Sequence, residues 1–403
     1  MSLRQQAAPA GPAGIGTGRR WTMLATSTGA QAAAAVMVHG PAFLIPTLHR
    51  QQGMGLAEAG VVAAAPLIGV MLTLVAWGWV TDRRGERFVL LTGLGSTVVA
   101  GVASALTGGL APLVVTLLLA GAAAASTNAA SGRVVVGWFP PERRGLAMGI
   151  RQMAQPVGVG VAAISIAVVA EAHGVQAALW VPTVACALAA LLVAATVVDP
   201  PRPARREGAV AANPYRVDSY LTRIHGVSVL LVVPQFLVWT FALVWLVQDR
   251  GWSTAAAGVV VAVAQVAGAL GRIAAGHLSD VVGARMRPLR CVALVASAVL
   301  ALLGLAAALD LAVAVVLMIV ATLVTVADNG LAFTAVAERA GPFWTGRALG
   351  AQNTAQYLAA SAVPPVAGLA IAHLGYAAAF ALAALFPLVA APLVPVRGER
   401  PLS

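Results

Sequence analysis

Long hydrophobic stretches separated by short polar segments make up almost the whole chain. Breaks at glycine, proline and clusters of charge divide it into twelve such stretches. A bilayer core of roughly 30 Å needs about 20 apolar residues per helix, so each stretch is long enough to cross it. We number them spans 1 to 12 in chain order. The spans cover 21–48, 56–80, 88–108, 111–138, 146–171, 176–198, 225–248, 253–278, 288–309, 312–337, 346–373 and 376–396.

Three polar segments frame these spans and predict a division into two bundles. They are an N-terminal tail at 1–20, a linker at 199–224 and a C-terminal tail at 397–403. The first apolar run is too long for the core of a signal peptide, so we expect span 1 to be retained. The pattern therefore predicts one six-helix bundle at 21–198 and a second at 225–396.

Composition agrees with an all-α protein that crosses the membrane many times. The chain is 60% hydrophobic and 10% charged, whereas a soluble chain carries about 25% charged residues. The net charge is +11 and every basic residue is arginine. Absence of lysine beside abundant alanine and glycine is typical of a GC-rich bacterial genome.

The arginines lie mainly in the short segments between spans, which indicates membrane orientation and not binding to nucleic acid. If the N-terminus is cytoplasmic, the outside loops hold only Arg50 and Arg250. We therefore predict a multi-pass protein of the bacterial cytoplasmic (inner) membrane with both termini in the cytoplasm. The inside segments then hold Arg4, Arg19, Arg20, Arg83, Arg84, Arg87, Arg143, Arg144, Arg202, Arg205, Arg206, Arg216, Arg223, Arg285, Arg287, Arg339, Arg397 and Arg400.

A polar motif after span 2 recurs after span 8. Residues 78–87 and 276–285 both follow the pattern G-x-x-x-D-x-x-G-x-R, 198 positions apart. A second match supports an internal duplication of spans 4 and 5 as spans 10 and 11. A shift of 201 positions aligns Asn128 with Asn329, Pro141 with Pro342, Gly145 with Gly346, Gly149 with Gly350, and Ala154-Gln155 with Ala355-Gln356.

The doubled motif resembles the cytoplasmic loop motif of the major facilitator superfamily of secondary transporters. The resemblance covers nearly the whole chain. It implies two parallel six-helix halves, a substrate site between them near the middle of the membrane, and alternating access from each side.

In that family the motif forms a latch that closes the cytoplasmic side, although a merely solvated loop would obey the same charge pattern. Val281 stands where Arg83 stands in the first copy, so the second latch is expected to be weaker. The residues expected to gate the transporter are Asp82, Arg83, Gly85, Arg87, Arg133, Asp280, Gly283 and Arg285.

One carboxylate, Asp328, is expected deep within a span. It precedes Glu338 by ten residues, or about 15 Å along a helix. Charges near a helix centre cost about 2.5–3.5 kcal/mol on insertion scales and usually have a function. A carboxylate removed from water takes up protons readily, so Asp328 is the candidate carrier of a coupling proton or cation. A neutral or arginine-paired structural role is the alternative.

Arginines within the spans suggest an anionic substrate. Arg272 lies eight residues before Asp280, about 12 Å from the loop, and a fixed guanidinium there suits a carboxylate or phosphate. Pairing with Asp328 or with a helix end is the alternative. Arg133 and Arg151 lie near the ends of spans 4 and 5. For both we favour snorkelling or latch pairing over substrate contact, although Arg151 stays among the candidate substrate-binding residues.

Amide and phenol side chains on spans 4, 5, 10 and 11 are the remaining candidates for substrate contact. At i, i+3 and i+4 spacing they form polar stripes, which serve equally well as cavity lining or as interhelical hydrogen bonds. These candidates are Asn128, Gln155, Asn329, Gln352, Asn353, Gln356 and Tyr357, with Gln152 beside them and Gln31, His39 and Gln265 as weaker ones.

The favoured function is proton-coupled uptake (symport) of a small organic anion, such as a monocarboxylate or a sugar acid. The alternative is proton-linked efflux of a drug or metabolite. Residues 155–160, Gln-Pro-Val-Gly-Val-Gly, match only partly the Gly-Pro-x-x-Gly-Gly motif of antiporters. No hydrolase, metalloprotease or nucleotide-binding motif is present, so we expect no enzyme, no cofactor and no metal site. The expected partners are the lipid bilayer, a small-molecule substrate and a proton or other coupling ion, with no nucleic acid, and the chain is expected to be a monomer.

Overall fold

A computed structural model describes residues 15–45, 47–48, 53–54, 56–200 and 213–399. The expectations for residues 1–14, for Arg50, for 201–212 and for 400–403 lie outside this part of the chain. The described helices are α1 (Thr17–His39), α2 (Leu56–Arg84), α3 (Glu86–Leu106), α4 (Leu110–Trp138), α5 (Pro141–Arg151), α6 (Ala154–Thr196), α7 (Tyr220–Gln248), α8 (Thr254–Val282), α9 (Met286–Ala308), α10 (Val313–Val324), α11 (Asp328–Ala340), α12 (Thr345–Ala383) and α13 (Leu385–Leu393).

These helices form twelve membrane crossings, as the hydrophobic pattern predicts. Nine segments of the described chain are long and apolar enough to span a bilayer, and two of them, of 56 and 54 residues, contain two crossings each. Gly174 and Gly375 interrupt these two segments with positive φ angles of 85° and 81°, which suit glycine. The twelfth crossing is α1, whose Gln31 and threonines make it more polar than the others.

The motif residues lie on helix ends and not in loops, which corrects the sequence-based boundaries. Helix α2 continues to Arg84 and α8 to Val282, so Asp82 and Asp280 belong to their last turns. Only Gly85 separates α2 from α3. Arginines in the last turn of α2 favour this longer helix, because cations stabilise the negative end of the helix dipole.

Span 10 is broken in the middle, between α10 and α11. The hydroxyl of Thr325 donates to the carbonyl of Ala321 at 2.7 Å, and the regular helix stops at Val324. Asp328 is therefore the first residue of α11. Span 5 is broken in the same way between α5 and α6, after Arg151.

Helices α1–α6 and α7–α13, here called the N-half and the C-half, are joined where α2 crosses α12 and α5 crosses α8. Both crossings lie near the end of the molecule at which α2 meets α3 and α8 meets α9, here called the arginine-rich end. Glycines allow the backbones to touch there. A Cβ on Gly78 would lie 2.2 Å from the carbonyl oxygen of Gly346, and one on Gly276 only 2.1 Å from that of Gly145.

Replacement of Gly276 by valine is predicted to separate α5 from α8. The added carbons would collide with backbone that cannot move aside, and overpacking of this kind costs about 1–3 kcal/mol. Spin labels at the exposed positions Arg143 and Val281, in a cysteine-free background, should report longer distances across the arginine-rich end.

The matched control is Gly258→Val on the same helix, because a Cβ at Gly258 meets no atom within 4 Å. Its distance distribution should equal that of the parent protein. An unchanged distribution in Gly276→Val would show that the glycine contact does not hold the two halves together.

Candidate functional site

Asp82 joins the halves at the α2–α12 crossing. Its carboxylate accepts from the backbone N–H groups of Gly346 and Arg347, at 2.8 and 3.1 Å, and from the Arg347 side chain at 2.9 Å. Because α12 begins at Thr345, these N–H groups lie in its first turn, where no intrahelical acceptor exists and the helix dipole attracts anions.

Asp280 makes the equivalent contact at the α5–α8 crossing. It accepts from the backbone N–H groups of Gly145 and Leu146 at 2.9 and 2.8 Å. Arg285 donates to Asp280 at 2.5 Å and to the carbonyl oxygen of Pro141 at 2.7 Å, so it also bridges the two halves. Its side chain is 1% exposed, which removes the whole contact from water.

The cations around Asp82 differ from those that the motif suggested. Arg83 is exposed and stacks on the Trp79 ring at 3.8 Å, so it does not reach Asp82. Val281, at the same place in the second copy, is also exposed. The difference between Arg83 and Val281 therefore gives no structural reason for a weaker second latch.

Arg133 and Arg347 supply the positive charge at Asp82. Arg133 contacts Asp82 at 3.1 Å and also pairs with the fully buried Glu86. Arg133 was expected in the latch from its place in the sequence, whereas Arg347 and Glu86 were not. The alignment of Gly145 with Gly346 was the available signal for Arg347, because the backbone N–H groups of both glycines bind a latch carboxylate and Arg347 directly follows Gly346.

One further acidic residue in each half caps the third helix of that half. Asp199 accepts from the backbone N–H of Arg87 at 2.8 Å, beside Gly85, whose φ is 103°. Glu399 accepts from the backbone N–H groups of Arg285 and Met286, the latter at 3.0 Å. The Arg87 side chain donates to the carbonyl of Ala194 at 2.7 Å, so it acts within the N-half. Gly283 ends α8 in the left-handed conformation, with a φ of 65°.

A central cavity lies between the halves, with a volume of about 840 Å³ when its open mouth is included. Its wall is rich in amides, and Arg272 is the one charged residue lining it within the described part of the chain. The candidate substrate-binding residues that line it are Asn128, Gln155, Arg272, Asn329, Asn353, Gln356 and Tyr357. Gln31, Gln152, Gln235, Gln265, Phe236 and Trp239 line it as well.

Paired amides make the two walls similar. Gln31 on α1 donates to Asn128 on α4 at 2.9 Å. Asn329 on α11 donates to Gln235 on α7 at 3.0 Å, and Gln356 donates to Asn329 at 3.1 Å. The amides therefore fill both roles that their spacing allowed. They form hydrogen bonds between helices, and they also line the cavity. Gln235 was missed, although its place on span 7 matches that of Gln31 on span 1.

Arg272 and Asp328 lie close together in the C-half. Arg272 is 8% exposed and faces the cavity, whereas Asp328 is 2% exposed and lies behind the wall. The two charges interact electrostatically, but they form no ion pair within 4.0 Å in the described structure. No side chain among the described residues donates a hydrogen bond to the Asp328 carboxylate, and the nearest donors are the backbone N–H groups of Asp328 and Asn329.

Arg151 and Gln352 do not line the cavity, although both are among the candidate substrate-binding residues, and Arg151 lies directly behind the part of the wall that Gln152 and Phe333 form. Arg151 is completely buried and donates to Ser131, to the carbonyl of Asn128 and to Gln152, at 2.8, 2.9 and 2.6 Å. It ties α5 to α4 and does not snorkel.

Gln352 is also completely buried. It contacts His225 and donates to Ser228 at 2.5 Å, which places it between α7 and α12. His225 in turn contacts the Tyr215 hydroxyl at 2.9 Å.

Comparison with known proteins gives consistent matches over nearly the whole chain. A family model described as Major Facilitator Superfamily matches residues 26–364. Relatives from two strains of Mycobacterium tuberculosis, both described as uncharacterized MFS-type transporters, are 47% identical over 384 residues, covering 95% of this chain and 86% of theirs.

Several solved structures share the fold. The transporter FucP in its outward conformation superposes with a TM-score of 0.76 at 15% identity, covering 94% of this chain and 99% of its own. The proton:xylose symporter XylE gives 0.75 at 16% identity, covering 96% and 98%. The human organic anion transporter MFSD10 gives 0.73 at 16% identity, covering 93% and 99%.

Replacement of Asp82 by asparagine is predicted to weaken closure at the arginine-rich end. An amide cannot accept from all the N–H groups that Asp82 now satisfies, and hydrogen bonds to charged groups contribute about 1.5–3 kcal/mol. Spin labels at the exposed positions Arg84 and Pro342 should move apart, with little loss of protein from the membrane.

Arg83→Ala is the control on the adjacent residue, since Arg83 makes no contact with Asp82. It should leave the label distance unchanged. An Asp82→Asn protein as closed as the parent would mean that this carboxylate does not hold the latch.

Proposed function

This chain belongs to the major facilitator superfamily and is a multi-pass secondary transporter rather than an enzyme, and we propose that it takes up a small organic anion together with protons. The observation that carries the proposal is Arg272, the one charged side chain lining the cavity in the described residues. A guanidinium that is 8% exposed and not paired with a carboxylate offers a strong site for a carboxylate of the substrate.

Amides around Arg272 suit the rest of a polar head group. Asn329, Gln356 and Asn353 lie on the same half of the cavity wall, and Gln155 and Tyr357 lie near its other half. Amides both donate and accept hydrogen bonds, so they recognise carboxylate and hydroxyl oxygens without adding charge. The description of one similar structure as an organic anion transporter supports this substrate class.

Asp328 is the proposed carrier of the coupling proton. Its carboxylate is buried behind Arg272 and receives no hydrogen bond from a side chain of the described structure, so binding of a proton removes a charge that is only partly compensated. An anion bound at Arg272 would further favour protonation of Asp328, since like charges repel. Two similar structures are described as proton symporters, which supports coupling to protons.

The proposed orientation places the arginine-rich end in the cytoplasm of a bacterium, following the positive-inside rule. The bundles 21–198 and 225–396 would rock about the central cavity as a monomer. Both latches are closed at the arginine-rich end, which supports an outward-facing conformation ready to accept substrate.

A ligand screen in lipid nanodiscs tests the substrate class. Small carboxylates, sugar acids and lipophilic cations are compared by thermal shift, since a bound ligand raises the melting temperature. Stabilisation by a carboxylate is expected, and Arg272→Gln should weaken it about ten- to hundredfold, because a hydrogen bond to a charged group contributes about 1.5–3 kcal/mol.

The control is the double variant Arg272→Gln with Asp328→Asn, which removes both charges and leaves no uncompensated carboxylate behind the wall. It should fold stably and also fail to bind the anion. Stabilisation by lipophilic cations alone, lost in Asp328→Asn, would instead favour efflux of a cationic drug or metabolite.

The Asp328→Asn single variant is predicted to lose pH-driven accumulation of the anion while keeping exchange of anion across proteoliposomes. Asparagine has similar size but no titrating proton. Asp310→Asn, at an exposed residue near the opposite end of the C-half, should accumulate the anion normally. Accumulation that survives in Asp328→Asn would assign the coupling proton to another group.

A further inference from the structure

A short segment directly before α7, residues 213–218, packs against the start of α12 and is here called the strap. It contains one turn of 3₁₀ helix, Pro214–Arg216. Asp218, at its far end, pairs with Arg339 of α11. The strap thus has a local structure of its own and is tied to the C-half by an ion pair.

Tyr215 is the strap residue that reaches furthest into the C-half. Its hydroxyl contacts one imidazole nitrogen of His225 on α7 at 2.9 Å, and the two rings stack with their centroids 5.8 Å apart. The other imidazole nitrogen contacts Gln352 of α12. The Tyr215 ring also meets the Trp344 ring edge to face, with centroids 6.3 Å apart. One side chain of the strap therefore contacts both α7 and the residue that directly precedes α12.

Trp344 in turn contacts the arginine of the α2–α12 latch. The Arg347 guanidinium lies over the Trp344 ring, with Cζ 3.6 Å from the ring centroid. The same guanidinium donates through Nε to Asp82 at 2.9 Å and through a terminal nitrogen to the carbonyl of Phe343 at 2.7 Å. Because the Arg347 side chain is 27% exposed, water competes for these hydrogen bonds, and the aromatic face limits how the guanidinium can turn.

The latch at the α5–α8 crossing is built differently. The shift of 201 positions that aligns the two halves places Arg143 where Trp344 stands. It likewise places Leu146 where Arg347 stands. Arg143 is exposed, and Leu146 donates its backbone N–H to Asp280. The stack of arginine on tryptophan is therefore a feature of the crossing that lies next to the strap.

We propose that Trp344 is a positioning residue for alternating access, which holds Arg347 in the orientation that closes the latch on Asp82. Tyr215 of the strap holds the Trp344 ring in place. The segment that enters the C-half from the linker thereby stabilises the conformation that is closed at the arginine-rich end. This arrangement acts at the latch, whichever substrate the central cavity binds.

The test uses the full chain in nanodiscs, in a cysteine-free background with spin labels at the exposed positions Arg84 and Arg287. Trp344→Leu should raise the ratio of long to short label distances about fivefold, because a cation–π contact of this kind contributes about 1 kcal/mol. Trp344→Phe, which keeps an aromatic face under the guanidinium, should restore most of the closed population. Tyr215→Leu should shift the ratio in the same direction as Trp344→Leu, but less.

An Arg347→Ala background separates positioning from general packing. If Trp344 acts through Arg347, then Trp344→Leu should cause no further opening in that background. The matched control is Trp252→Leu, at a half-buried tryptophan near the opposite end of the C-half. Its label distances should equal those of the parent protein.

Two results would overturn the proposal. Equal opening by Trp344→Leu with and without the Arg347 side chain would mean that the ring only fills space. Parent-like distances in Tyr215→Leu would mean that the strap does not act on the latch. Tyr215 lies outside the helical spans, so Tyr215→Leu in the two backgrounds gives the decision if Trp344→Leu fails to reach the membrane.

Discussion

Two carboxylates that accept hydrogen bonds from the backbone of the opposite half connect the halves in this conformation. Asp82 binds the first turn of α12, and Asp280 binds α5. Backbone amides reach a carboxylate on a neighbouring helix only if the helices almost touch, which is why glycines stand at both crossings. The closure therefore depends on the absence of side chains as much as on the presence of charge. A buried hydrophobic cluster with members from both halves surrounds these polar contacts, so separation of the halves also exposes apolar side chains.

The two halves repeat the contacts that acidic side chains make with backbone N–H groups. They do not repeat the contacts that arginine side chains make with the same acidic residues. Both halves keep the carboxylate at the end of the second helix and an acid that caps the third. The cations around them differ, with Arg133 and Arg347 at one crossing and Arg285 at the other. An acceptor aimed at N–H groups needs only correct helix geometry, whereas a guanidinium can approach from several directions. The two latches therefore use the same kind of contact, although different arginines surround the two carboxylates.

The sequence predicted the crossings and the latch carboxylates, because hydrophobic length and repeated motifs are one-dimensional signals. It did not predict which way a side chain points. Successive residues on a helix are about 100° apart, so Asp82 faces the other half while Arg83 faces outward. Gln352 and Gln356 share a helix face, yet only Gln356 reaches the cavity, because Gln352 lies one turn nearer the packed end. Depth and facing direction are set by the packing of all the helices.

The placement of Arg272 on α8 and Asp328 on α11 puts both charged groups near the cavity on one half. If that half moves as a rigid body, a positive and a negative charge travel the same path across the membrane field. A field of 100 mV is worth about 2.3 kcal/mol for each elementary charge carried across it, and for this pair the two contributions cancel. The membrane voltage would then act on the cycle through the cargo alone, and under the proposed symport one proton carried with each monovalent anion would make the whole cycle electrically silent.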